Sequence, residues 1–135
     1  MIVVDTNILV HALVQSDRTA MARRLKEADP LWRVPSLWRY EFANVMRTKV
    51  MTGGMGAAAA LERMRTAYAY CLPMERELSP ELALEAAFAF KVSAYDAAFL
   101  ALAKSKGIKL VTEDRKLRNA APSLTCAMED MIGEI

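Results

Sequence analysis

The sequence predicts an α/β domain of three layers, with helices on both faces of a mostly parallel sheet. Short β-branched runs alternate with longer helical periodicities along all 135 residues, the signature of that layering. Ile2, Val3 and Val4 form an unbroken β-branched run, which suits a strand buried on both faces. No internal repeat or low-complexity linker interrupts the alternation, so residues 1–135 read as a single domain.

The first strand stops at Asp5, and Ile8, Leu9, Ala12 and Leu13 follow at helical spacing. In an open α/β sheet, ligands bind at such strand-to-helix corners, beyond the carboxyl ends of the strands. Asp5 therefore carries two readings: a helix N-cap with Thr6 and Asn7 as turn formers, or a site residue. Asp17 opens a second helix that runs to about Ala28, where Asp29-Pro30 stops it. Leu31 to Val34 forms a short strand ended by Pro35. Ser36 caps a third helix from Leu37 to about Met51, and Gly53-Gly54 terminates it. Glu41 shares a face of this helix with Leu37, Asn44, Val45 and Thr48, and reads either as a pocket acid or as a partner of Arg39 or Lys49.

Ala57 to Tyr70 is a fourth helix, which makes a helical hairpin with the third. Leu72 to Leu78 is a weak strand candidate, placed at an edge by Pro73. Ser79-Pro80-Glu81 opens a fifth helix, running to about Phe90. Ser93 then restarts a helix that is apolar nearly all round, so it is buried. Asp96 lies in its first turn, where Ser93 and Asp96 form a capping box; a charge on so buried a helix also calls for a partner or a metal. Gly107 ends this helix, Ile108 to Val111 forms a strand, and Thr112-Glu113-Asp114 stands at its carboxyl end. Asp114 caps a short helix from Arg115, Pro122 closes it, and Leu124 to Met128 is the last strand.

Composition narrows the function classes. Residues are 54% hydrophobic and 25% charged, as in ordinary globular domains. Nothing resembles a signal peptide or a membrane span, because Glu85, Lys91 and Asp96 break the Ala-rich stretch from Ala83 to Ala103. The cytoplasm is the expected compartment, with no membrane partner. Cys71 and Cys126 lack metal-ligand spacing and His11 is the single histidine, which excludes a structural zinc site. A net charge of +2 does not by itself declare nucleic-acid binding. If several acids gather in one pocket, however, the remaining surface is more basic than that total, and Arg18, Arg23, Arg24, Lys26, Arg115, Lys116 and Arg118 are candidates for it. There is no phosphate-binding Gly-rich loop and no nucleophile elbow.

Asp5 and Asp114 at strand ends, with Glu41 and Asp96 near helix starts, are the chemical candidates. Clustered carboxylates raise one another's pKa unless a cation holds them together. Oxygen ligands without histidine or cysteine select Mg²⁺ or Mn²⁺ over zinc. Such an acidic cluster with its ions is standard equipment for hydrolysing phosphodiesters.

Asp5-Thr6-Asn7 after an apolar strand, Glu41 in a helix, Ser93-Ala94-Tyr95-Asp96-Ala97 opening a buried helix and Thr112-Glu113-Asp114 after a strand resemble, in order and spacing, the PIN-domain ribonucleases. Size and layout are most similar to the VapC toxins of toxin–antitoxin pairs. The resemblance implies a five-stranded parallel sheet, metal-dependent RNA cleavage to a 5′-phosphate and a 3′-hydroxyl, homodimerisation and inhibition by an antitoxin. By that resemblance Asp5, Glu41, Asp96 and Asp114 are the catalytic metal ligands. Asn7, Thr112 and Thr6 are then supporting pocket groups, and Ser93 caps the helix that bears Asp96. Two other classes stay open: a PIN-like scaffold without catalysis, and a receiver-type signalling domain. The latter needs paired acids after the first strand, where Asp5-Thr6-Asn7 supplies one. Trp38, Met51, Met55 and Tyr68 on the hairpin are expected to serve a groove for the antitoxin and a dimer contact.

Overall fold

The β-branched run at the start of the chain becomes the middle of the sheet. In a computed structural model that describes residues 1–133, β1 (Ile2–Val4) is flanked by β2 (Trp32–Arg33) and β3 (Leu110–Val111). β4 (Thr125–Cys126) adds to β3, so the order is β2-β1-β3-β4, with every pairing parallel. Register places Val3 beside Arg33 on one side and Leu110 on the other. The last two residues of the expected domain, Glu134 and Ile135, lie outside the described residues.

Strand alternation then assigns the two cores. Ile2 and Val4 point into one core with Ile8, Leu25, Trp38 and Phe42, while Val3 points into the other with Phe99, Leu100 and Leu117. The first core is built from α1 (Thr6–Leu13), α2 (Thr19–Ala28), α3 (Trp38–Met51), α4 (Ala57–Cys71) and α8 (Met128–Gly133). The second is covered by α6 (Ala94–Lys106) and α7 (Arg115–Ala120), with α5 (Pro80–Phe90) packed on α6. The three-layer α/β expectation therefore holds.

Among the described residues the sheet has four strands, where the resemblance implied five. The Leu72–Leu78 candidate folds as a single 3₁₀ turn, Leu72–Met74, followed by one parallel bridge between Val34 and Glu75. Pro73 supplies no amide for a ladder, so only the Val34 N–H to Met74 carbonyl bond (3.1 Å) and the Arg76 N–H to Val34 carbonyl bond (3.0 Å) form. At the other end, the expected strand from Leu124 to Met128 keeps two residues and turns into α8, led by Met128 and Met131 in the core.

Two helix starts also differ from expectation. α2 begins at Thr19, not Asp17, because the Thr19 hydroxyl accepts from the Ser16 N–H (2.9 Å) and donates to the His11 carbonyl (2.7 Å). α3 starts without a side-chain cap from Ser36, through a bond from the Trp38 N–H to the Pro35 carbonyl (3.1 Å). Trp38, expected on a partner surface, is fully buried and meets Phe42 edge-to-face at 6.0 Å. Its indole N–H donates to Glu75 (2.7 Å), which Arg39 also grips.

α6 is the helix against which the second face is assembled. Ala97 and Ala101 lie against Ala86 and Ala87 of α5, and these small side chains let the two helices approach closely. α5 ends at Lys91 in the left-handed conformation (φ 57°), while α6 ends at Gly107 (φ 65°), where the lack of a Cβ makes that geometry easy. Among the described residues no single helix is long and apolar enough to cross a membrane. α5 and α6 reach that length and composition only together, and they are bent by 103°. Both cysteines are buried, and burial pushes the Cys71 thiol up to about 12. Overpacking the α5–α6 seam with Ala97→Leu is expected to cost about 1–3 kcal/mol of stability, read by denaturant unfolding; an unchanged midpoint would show the seam to be loose.

Candidate active site

The carboxyl ends of β1 and β3 are locked level with each other. The Asp5 N–H donates to the Val111 carbonyl (3.0 Å), extending the pairing by one residue. The side chains of Asp5 and Thr112 therefore meet where the strands stop, and the Thr112 hydroxyl donates to Asp5 Oδ2 (2.6 Å). The other oxygen, Oδ1, accepts from the Thr6 N–H (2.8 Å) and caps α1. Asp5 is a cap and a pocket residue at once.

From this pair the site spreads outward through short side chains. The Thr6 hydroxyl, buried, donates to Glu41 Oε1 (2.7 Å) and so turns the α3 carboxylate toward the strand ends. Glu41 pairs with neither Arg39, which is held by Glu75, nor Lys49. The Asn7 amide reaches Asp5 Oδ2 (3.5 Å) and the Thr112 hydroxyl (3.4 Å), and its carbonyl oxygen accepts from the Glu113 N–H (3.3 Å). Thr112 Oγ1 also accepts from the Asp114 N–H (3.0 Å), and Asp114 Oδ1 caps α7 through the Leu117 N–H (3.2 Å). Asp96 joins at the start of α6, where the Ser93 hydroxyl accepts from the Asp96 N–H (3.1 Å). Ser93 thus caps the helix, as expected, while no direct hydrogen bond ties Asp96 to the other three acids.

Charge links what hydrogen bonds do not. Burial raises the Asp5 carboxyl above its ordinary range; the bonds from Thr112 and Thr6 pull it down, and the charges of Asp96 and Asp114 push it up again. Glu41 is raised by burial, lowered by Thr6, and raised again by Asp5 and Asp96. Asp96 is raised by burial and by Asp114, with Ser93 opposing. Every acidic neighbour adds to the strain, and among the described residues none of these acids makes an ion pair with lysine or arginine. Arg118 reaches the edge of this acidic pocket, donating from Nη1 to the Thr112 carbonyl (2.7 Å), without pairing with any of the four carboxylates.

Among the described residues no three of His, Cys, Asp and Glu stand close enough to hold one metal ion as they lie. Unneutralised carboxylates repel, so a preformed cage is not expected here. Mg²⁺ in particular binds through one or two carboxylates, keeping waters and taking substrate phosphate for the rest. The oxygen-only donor set fits such an ion in chemistry.

Two of the basic candidates are engaged within the chain. Arg18 bonds to Glu113 and Glu129, and Lys26 lies over the rings of Trp32 (4.8 Å) and Tyr70 (5.5 Å). Arg23, Arg24, Arg115 and Lys116 remain exposed. The Arg18–Glu113 pair had no signal in the sequence, since its partners lie 95 positions apart.

The PIN domain family signature matches residues 2–122. The chain belongs to the PIN domain family. No curated protein matches it. Among solved structures it is similar to the crystal structure of PAE2754 from Pyrobaculum aerophilum, with a TM-score of 0.73 and 21% sequence identity over 98% of this chain and 94% of that one. At that identity the likeness speaks for the fold. PIN domains are typically nucleases, and PIN nucleases generally use divalent metals. In this PIN domain the matched region takes in the four acidic positions, the last being Asp114.

A carboxyl raised in the folded state binds its proton more tightly there than in the unfolded chain. Its contribution to stability is full below the ordinary value, 3.8 for Asp96, and is lost as pH rises through the raised one. In chelator, Asp96→Asn is therefore expected to melt higher than the parent at pH 7, with the advantage vanishing in acid. Thermal unfolding at pH 7 and below pH 3.8 checks this; an advantage that grows in acid would reverse the sign of the argument.

Proposed function

We propose that this PIN domain is a Mg²⁺- or Mn²⁺-dependent endoribonuclease, acting in the cytoplasm as the toxin of a toxin–antitoxin pair. One observation carries the nuclease reading: Asp5 at the end of β1, Glu41 in α3 and Asp96 in α6 all have carboxyls raised by burial and then by other acids of the set, and none is paired with a basic side chain. A pocket built at that electrostatic cost is intelligible if a cation completes it. RNA as the substrate follows from the resemblance of the four motifs to PIN-domain ribonucleases.

Asp5, Glu41, Asp96 and Asp114 would hold the ion or ions, some through water. When bound, a divalent ion supplies positive charge for the phosphate and acidifies a water for attack on phosphorus. The chain's own part is positioning. Thr112 and Thr6 each donate a short hydrogen bond that fixes a carboxylate oxygen, of Asp5 and of Glu41 respectively. Asn7 spans Asp5, Thr112 and the Glu113 backbone, keeping the two strand ends in register. The start of α6, capped by Ser93, favours negative charge beside Asp96.

The partner proposal rests on the helical hairpin. Met46, Val50, Met51, Ala60, Leu61 and Met64 line a groove of about 340 Å³ between α3 and α4, with almost no polar wall. A second depression, between α1, α2 and α4, is lined by Ala12, Leu13, Ala22 and Tyr70. An antitoxin helix laid along these surfaces would direct an arginine or lysine at Asp5, Glu41 and Asp96, since a cation suits an anionic pocket. Another part of the hairpin, where Tyr40 is exposed, is left for a second copy of the chain.

The purified chain is expected to cleave single-stranded RNA in Mg²⁺ or Mn²⁺ and to stop in chelator. Asp5→Asn should lower the rate by about 100-fold or more, at the upper end of what altered metal surroundings cost. Cleavage that survives both the chelator and Asp5→Asn would overturn the assignment.

A further inference from the structure

We propose that Arg18 is a positioning residue for the acidic pocket, acting through Glu113. The proposal rests on the metal-site reading above and adds what keeps that site in shape. Arg18 is the N-cap position of α2, and its backbone is fastened to the end of α1: its N–H donates to Ser16 Oγ (3.1 Å), Ser16 N–H donates to the Thr19 hydroxyl, and that hydroxyl donates to the His11 carbonyl. From this fixed base the guanidinium reaches the loop after β3. Nε donates to Glu113 Oε1 (3.0 Å), Nη2 donates to the same oxygen, and Nη2 also meets Glu129 of α8 (2.5 Å).

Glu113 lies between Thr112 and Asp114, two residues of the pocket, yet its own carboxylate is turned to Arg18. Its N–H donates to Asn7 Oδ1 (3.3 Å), and the next amide, Asp114 N–H, donates to Thr112 Oγ1 (3.0 Å). Thr112 Oγ1 in turn donates to Asp5 (2.6 Å). Gripping the Glu113 side chain therefore holds the loop whose amides and hydroxyl set the distance between Asp5 and Asp114. The pair is only partly exposed, with side-chain exposures of 32% for Arg18 and 19% for Glu113, and two N–H groups share one oxygen. That geometry sets it apart from a surface ion pair of negligible effect.

Charge and position make opposite forecasts. Arg18→Gln removes a positive charge beside an anionic site, which by Coulomb attraction alone tightens a cation. Loss of positioning weakens it instead. The test uses the full chain, with free Mn²⁺ read by electron paramagnetic resonance and amide exchange by NMR. In Arg18→Gln, Mn²⁺ affinity should fall about tenfold, the usual scale for a supporting partner of a metal site. The Glu113 and Asp114 amides should exchange faster, while the Asp5 amide, bonded to Val111 within the sheet, should not change. Arg18→Lys should recover most of the affinity. The double variant Arg18→Gln/Glu113→Gln restores the charge balance and should stay as weak as Arg18→Gln. Unchanged loop exchange, a tighter Mn²⁺ site in Arg18→Gln, or return of the double variant to parental affinity would each overturn the proposal. A parent chain that takes up no Mn²⁺ would overturn the metal-site reading, and loop exchange would still decide whether Arg18 holds the loop.

Discussion

The hydrogen bond from the Asp5 amide to the Val111 carbonyl is where the sheet ends and the pocket begins. It sets the carboxyl ends of β1 and β3 at one level, so that side chains 107 positions apart meet at 2.6 Å. The other site contacts depend on that alignment. Thr6 reaches Glu41 because α1 starts at the end of β1, and Asp114 reaches Thr112 because α7 starts just beyond β3. A buried parallel sheet supplies such alignment rigidly, since β1 and β3 are each paired on both sides and packed on both faces.

Capping and the proposed chemistry draw on one arrangement. Asp5 and Asp114 each give Oδ1 to a helix amide, and Ser93 caps the helix that carries Asp96. A carboxylate used as a cap is fixed in direction by the helix it starts, which is how a short loop can present an acid without a dedicated scaffold. The cost lies in the charges: burial and mutual repulsion raise Asp5, Glu41 and Asp96 together. That cost is the ground on which a cation is proposed to complete the site.

The central strand, the buried α6 and the four acids at element ends were legible in the sequence because each leaves a local mark. The run of Ile2 to Val4, the all-round apolar helix after Ser93 and the acids just past strand ends need no long-range information. Edges and partners were less legible. The fifth strand fails at Pro73, since one missing amide decides whether an edge ladder propagates. Trp38 was read as surface because helical periodicity does not tell a buried stripe from a docking stripe, and Glu75, far along the chain, is what satisfies its indole. The hold of Arg18 on Glu113 was invisible for the same reason: both lie in runs of ordinary charged residues, and only the fold brings α2, the β3–α7 loop and α8 together.

The proposed chemistry requires that a divalent cation complete the acidic pocket. Crystals of the chain grown with Mn²⁺ and measured for anomalous scattering test that claim without any assumption about substrate. The account predicts one or two ions at the strand ends, with Asp5 among their ligands or one water away and Glu41, Asp96 and Asp114 around them. Ordered Mn²⁺ found only at other surfaces, with the pocket acids still apart, would contradict it.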